Sequence, residues 1–310
     1  MGMRMASTGI ITTNPVPARY SILFLQRAAA LCFILAAVAF MGGCSPLTLL
    51  NASVGSSNYQ RTSDQTYGSD PRQKLDIYIP TAHAKHADVV IFFYGGRWRT
   101  GDKEDYRFVA EGLAANGFIT VIPNYRLYPQ IDWHDFIADA ASAYQWVETH
   151  IAAYDGNPRR IFLMGHSAGA HIAAMVALDQ TVRNQAGSHI APCGMIGLAG
   201  PYDFLPFEDT DVRQVFSSAI HPMETQPIFY ADRTDPSLLL LTGDADTTVK
   251  PRNSYRLAEA MQQRGGTAQV IAYPGVAHIG ILTSLARSLK FIAPTLEDTT
   301  NFIHKTACGS

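Results

Sequence analysis

RIFLMGHSAGAHIAAMVAL, residues 160–178, joins two unlike patterns at a single point. Ile161–Met164 is a continuously apolar run of strand length, as expected for a strand buried on both faces of a parallel sheet. Ala168–Leu178 is a small-residue apolar helix pattern. Between them lies Gly165-His166-Ser167-Ala168-Gly169, a Gly-x-Ser-x-Gly sequence in the strand–turn–helix context that gives the pattern meaning. A strand that turns this sharply into a helix holds its central serine in a strained conformation with the hydroxyl exposed. Only small residues two positions to either side let the backbone pass so closely. The helix N-terminus beneath favours developing negative charge.

Working outward, further short apolar runs alternate with helical patterns: LDIYIP (75–80), VVIFFY (89–94), FITVIP (118–123), MIGLAG (195–200), LLLLTG (238–243) and AQVIAY (268–273). Helices are predicted over 103–116, ending at Asn116-Gly117, and over 132–153, where Phe136, Ala140, Tyr144 and Val147 share one face. Strands alternating with helices predict a mostly parallel sheet covered on both faces. Residues 201–236 break the rhythm with Pro201, Pro206, Pro222, Pro227 and Pro236, and read as an insertion over the carboxyl end of the sheet.

A serine hydroxyl is a weak nucleophile near neutral pH and needs a base that is itself oriented by a carboxylate. His278, in Gly275-Val276-Ala277-His278 after AQVIAY, is the histidine that stands in a strand-to-helix loop; His166 and His171 flank Ser167 too closely to swing onto it. Three carboxylates compete for the orienting role. Asp246 follows LLLLTG with Gly-x-x-Asp-x-x-Val spacing and is preferred; Asp244, in the same turn, and Asp203, after MIGLAG, are the alternatives. An oxyanion needs backbone N–H groups aimed at one point. Ala168, directly after the serine, supplies one, and Gly96 and Arg97 of Tyr94-Gly95-Gly96-Arg97-Trp98 are the candidates for the rest.

With these residues in order, YGGRW, GHSAG, the DTTV beginning at Asp246, and GVAH ending at His278 resemble the α/β-hydrolase superfamily. The similarity is to the bacterial carboxylesterases related to hormone-sensitive lipase and to kynurenine formamidase-like enzymes, over about residues 67–305. The resemblance implies an α/β-hydrolase fold: a mostly parallel, doubly wound sheet with a lid or cap inserted after the sixth strand. It implies a serine carboxylesterase that acts on a small-molecule ester through an acyl-enzyme, with no cofactor and no metal. An amide or formamide hydrolase using the same residues is one alternative, and a catalytically inactive hydrolase fold that binds a partner is another. Two positions depart from the family pattern: Tyr94 stands where His usually heads the oxyanion motif, and Arg97 where Gly is common. Arg97 would set a positive charge at the mouth of the site.

Hydrophobic residues make up 47% of the 310 and charged residues 16%, enough for a packed core, while a formal charge of −2 without a basic stripe gives no nucleic-acid footprint. Residues 1–43 differ from the rest: Arg4, Arg19 and Arg27 without an acid, then the apolar run Ala28–Phe40, then Met-Gly-Gly before Cys44. That order predicts an export signal of lipoprotein type with Cys44 as the lipidated N-terminus, or else an uncleaved signal anchor. Either would place the protein outside the cytoplasm, on the periplasmic side of the cell envelope and held to a membrane. Polar residues 44–66 read as a tether and 67–310 as the catalytic domain. Cys193 and Cys308 either pair in an oxidising compartment or remain thiols.

Overall fold

The apolar runs read from the sequence become strands of one eight-stranded sheet, completed by a polar strand at its edge. The computed structural model describes residues 46–82 and 85–308, so the segment 1–43 and Cys44 lie outside the described residues. The chain divides into two units, 1–49 and 50–310, and the second carries the sheet. Helix α1 (Pro46–Ser53) is followed by β1 (Tyr59–Thr66), β2 (Lys74–Pro80), β3 (Ala87–Phe93), α2 (Arg107–Ala114), β4 (Ile119–Pro123), α3 (Trp133–His150) and β5 (Gly156–His166). Then come α4 (Ala168–Leu178), α5 (Gln180–Gln185), β6 (Gly194–Leu198), α6 (Thr210–Val215), α7 (Pro227–Tyr230) and β7 (Ser237–Gly243). The chain continues through α8 (Arg252–Gln263), β8 (Ala268–Tyr273), α9 (His278–Thr283) and α10 (Thr295–Lys305).

Strand order is β1-β2-β4-β3-β5-β6-β7-β8. β1 and β2 pair antiparallel, as do β2 and β4, and every pair from β4 to β8 is parallel. Parallel pairing sends the carboxyl ends of β3, β5, β6, β7 and β8 to one edge, so the loops that follow them meet there. The register is tight enough to align those ends: Phe93 is opposite Gly165, His166 opposite Leu198, Leu198 opposite Leu241, and Gly243 opposite Tyr273.

Two boundaries correct the sequence reading. Residues 59–66, assigned above to a tether, form β1. Tyr59 is its buried residue, because an edge strand that presents most of its length to water needs no apolar alternation. It is fastened instead by charge: Arg61 reaches the fully buried carboxylate of Asp76 on β2 at 2.6 Å, and Lys103 reaches the same carboxylate at 2.9 Å. The helix predicted over 103–116 begins as a single 3-10 turn, Lys103–Tyr106, before α2. α3 opens on Asp132, whose side chain and that of Asp135 form a reciprocal capping box.

α4 is buried on every side, which is why it is built almost wholly of small and aliphatic residues. It packs on β5 and β6 and is covered by α3. The C-terminal helix is fixed at its far end by a disulfide between Cys193 and Cys308. Arg160 braces the same corner, pairing with Asp88 at 2.5 Å and donating to the carbonyl of Thr306. Among the described residues no helix is long and apolar enough to cross a membrane.

Candidate active site

Ser167 sits where β5 passes into α4, with φ 55° and ψ −123°, a left-handed conformation that a non-glycine residue holds only under constraint. The constraint comes from both flanking glycines. A Cβ at Gly165 would lie 2.2 Å from the carbonyl oxygen of Gly169, and a Cβ at Gly169 would lie 2.1 Å from that of Phe93. The serine N–H donates to the Leu198 carbonyl at 2.9 Å, which ties the turn to β6. Ser167 is half-buried and lines a cleft of about 180 Å³.

His278 opens α9 after β8. Its Nδ1 stands 2.7 Å from Oδ2 of Asp246, in the turn after β7. Asp246 is fully buried at its carboxylate, and Oδ1 accepts the N–H groups of Thr248 and Val249, both at 2.9 Å. Burial alone would raise its pKa; the bond to His278 and the two backbone donors outweigh it and hold the carboxyl below its usual range. The other two candidate acids lie elsewhere. Asp244 accepts the Gly275 N–H at 2.6 Å and so braces the loop that leads to His278, while Asp203 is paired with Arg256 at 2.7 Å.

The loop after β3 approaches the same point. Gly96, Arg97 and Trp98 have φ of 125°, 57° and 59°, so three successive residues occupy positive φ, two of them without the freedom of glycine. The Gly96 carbonyl accepts the N–H groups of Arg99 and Thr100, both at 3.0 Å, closing a tight turn; a Cβ at Gly96 would fall 2.1 Å from the Thr100 carbonyl oxygen. Among the described residues, no protein acceptor takes the N–H of Gly96, Arg97 or Ala168. Tyr94, at the head of this loop, points into the core. Its ring stacks between Tyr106 and Tyr125, and its hydroxyl donates to Asn124 at 2.7 Å while accepting from Arg72 at 3.0 Å. The guanidinium of Arg97 does not stand free at the mouth, as the sequence suggested. It pairs with Asp209 at 2.6 Å and Asp211 at 3.5 Å.

Six apolar residues line the cleft, Trp98, Pro201, Phe204, Phe207, Val212 and Val249, four of them from the proline-rich segment after β6; charged Glu208, Asp209, Lys250 and Arg252 line it as well. Asn253 of α8, for which the sequence carried no signal, also lines the cleft. Its Oδ1 accepts the N–H groups of Tyr202 and Asp203, both at 3.0 Å, and so joins the β6 loop to α8. His166 was legible only as a neighbour of the serine, yet it touches the other end of the site: its ring lies 4.6 Å from that of His278. Among the described residues no cluster of His, Cys, Asp or Glu could hold a metal ion.

The sheet order, the antiparallel second strand and the serine turn after β5 define an α/β-hydrolase fold. Residues 75–261, more than half of the chain, match the family described as BD-FAE, and the chain belongs to that family. It is 31% identical over 236 residues to a probable isoprenylcysteine alpha-carbonyl methylesterase of Oryza sativa subsp. japonica, a match covering 69% of this chain and 57% of the relative. It is 29% identical over 238 residues to esterase LipC of Mycobacterium tuberculosis, covering 68% and 58%. The chain thus spans little more than half the length of these curated relatives. Among solved structures, the propionate-bound esterase Est2 of Thermogutta terrifontis superposes with a TM-score of 0.66 at 22% identity, over 84% of this chain and 99% of that one.

Proposed function

We propose that this protein is a serine carboxylesterase in which Ser167 is the nucleophile, His278 the general base and Asp246 the orienting acid. The observation that carries the reading is the 2.7 Å bond from His278 Nδ1 to the buried Asp246 carboxylate. With Nδ1 so occupied, Nε2 is the nitrogen left to take a proton from a hydroxyl. Ser167 Oγ attacks the ester carbonyl as His278 accepts its proton. The tetrahedral oxyanion is received by the main-chain N–H groups of Gly96, Arg97 and Ala168. Collapse expels the alcohol, protonated by His278. Water, activated by the same imidazole, then attacks the acyl-enzyme and releases the acid. The small cleft takes an acyl group of a few carbons against its apolar residues, four of which the segment 201–236 supplies as a cap. The methylesterase and LipC relatives match 69% and 68% of this chain, against 50% for a kynurenine formamidase of Danio rerio at 30% identity, and that wider match favours ester over amide or formamide.

Ser167→Ala tests the assignment. Wild type should hydrolyse short p-nitrophenyl esters and take up a fluorophosphonate stoichiometrically, and the variant should do neither while keeping its fold. A wild type that neither turns over nor labels would mark a binding protein on a hydrolase scaffold. A labelled variant would mean that another serine reacts.

The same reading extends to location. Residues 1–43 act as an export signal and Cys44 as the lipidated end, which places the protein outside the cytoplasm and anchored to a membrane. The Cys193–Cys308 disulfide supports this, because such bonds persist in oxidising compartments. With β1 beginning at Tyr59, the stretch left to act as a tether ends before it. Cys44→Ser should abolish palmitate labelling; unchanged labelling would remove Cys44 as the lipid site.

A further inference from the structure

Three consecutive side chains of the β3 loop are all anchored in one short segment of the insertion. Trp98, 3% exposed, meets Phe216 edge-on with ring centroids 4.9 Å apart and lies flat against Phe204 at 6.2 Å. His171 of α4 and Phe136 of α3 close the box behind it, at 5.2 and 6.3 Å. On one side of Trp98, Arg97 pairs with Asp209 at 2.6 Å and Asp211 at 3.5 Å. On the other, Arg99 donates to Gln214 at 2.7 Å and stands 3.9 Å from Asp211. Asp209 also caps α6, accepting the N–H groups of Asp211 and Val212 at 2.8 and 3.1 Å. The acids that hold the arginines are therefore themselves fixed by the helix they begin.

This anchoring falls where the backbone most needs it. Arg97 and Trp98 both occupy left-handed φ without being glycine, and such residues persist only where their surroundings over-determine them. Relaxing Arg97 would rotate the peptide plane that carries its own N–H, and relaxing Trp98 would turn the next plane and release the constraint on Arg97. We propose that the segment Phe204–Phe216 is a clamp that sets the oxyanion loop, with Trp98 as the positioning residue and the Arg97–Asp209–Asp211–Arg99 network as its fastening. The cap then contributes to the rate and not only to the wall of the cleft. The inference rests on the esterase reading above, since a loop geometry matters to turnover only if those N–H groups receive an oxyanion.

The fastening charges are about half exposed, so salt should screen them and each pair contributes little alone. The double variant Asp209→Asn, Asp211→Asn keeps the cap oxygen on α6 while removing the charge. Its kcat on a short p-nitrophenyl ester should fall about fivefold with KM nearly unchanged. Wild-type kcat should decline between low and molar NaCl, and the variant's should not. Hydrogen exchange read by mass spectrometry should show the amides of residues 96–100 exchanging several-fold faster in the variant, with the remainder of the sheet as protected as before. Trp98→Leu should lower kcat further, by about tenfold or more, again without a matching rise in KM. A variant whose KM rises at constant kcat would make the segment a substrate wall alone and overturn the clamp; so would unchanged exchange over 96–100. Exchange is read on the folded protein whether or not it turns over ester. A wild type without activity would therefore sink the esterase reading, while the exchange result still decides whether the clamp exists.

Discussion

His166 Nε2 stands 3.1 Å from the main-chain carbonyl oxygen of His278, the residue whose side chain faces Asp246. A carbonyl can only accept, so Nε2 of His166 carries the proton and Nδ1 is bare. Burial first, and then the proximity of His278, push the pKa of His166 down to about 3, so it is neutral across the working range. The residue before the serine thus holds the backbone of the proposed base without setting a second positive charge beside it when that base is protonated.

The acid is tested by three substitutions measured on one ester. Asp246→Asn keeps the shape but favours the wrong tautomer of His278; in the serine-protease case that change lowers kcat about 10⁴-fold, roughly 5.5 kcal/mol of transition-state stabilisation. A loss of about three to four orders of magnitude is expected here, with normal thermal stability. Asp203→Asn should leave kcat within about twofold, because Asp203 is spent on Arg256. Asp244→Asn should cost about tenfold at most, through the Gly275 N–H it holds. A crippled Asp203→Asn beside an active Asp246→Asn would move the acid to the β6 loop.

Acid should destabilise the fold through His171. This ring is fully buried; burial pushes its pKa down to about 4, with Nε2 donating to the Thr225 carbonyl at 2.8 Å. A histidine whose folded pKa lies below its unfolded value of about 6.5 adds stability above that pH and loses it as pH falls toward the folded value. The loss by pH 4 is on the order of 3 kcal/mol relative to pH 7. His171→Gln keeps a donor for Thr225 but does not titrate. Its unfolding free energy, from urea titrations at pH 7 and pH 4, should fall correspondingly less than that of wild type. Equal losses would remove His171 as a source of acid sensitivity.

Reduction of the Cys193–Cys308 bond opens a loop of 115 residues. In the chain-entropy picture a closure of this length stabilises by about 3–5 kcal/mol. The double variant Cys193→Ser, Cys308→Ser should melt on the order of 10 °C lower. Its kcat should not change, because the bond lies at the amino-terminal edge of β6, away from the cleft. A drop in kcat at temperatures where the variant is folded would mean that the C-terminal helix communicates with the site.

The sequence by itself determined the central architecture. Continuous apolar runs such as Val89–Phe93 and Leu238–Leu241 leave no polar face for water and so fix strands buried on both sides. Gly165 and Gly169 fix the turn at Ser167, because any Cβ there would strike backbone. These are local constraints, written in adjacent residues, and they place each candidate residue at the end of a particular strand. What followed from long-range contact was not legible. β1 looks like a tether because an edge strand pairs through its backbone, and its fastening to Asp76 joins residues 15 positions apart. Spacing already favoured Asp246 over Asp203, but that its carboxylate meets His278 depended on the parallel register, and the pairing of Arg97 on whether acids 112 residues away would meet it. Whether Cys193 and Cys308 pair depended likewise on where the last helix docks. Side-chain chemistry names the candidates, but only the packing of the sheet and its insertion selects the partners, since charge and hydrogen bonding act over distances that sequence separation does not measure.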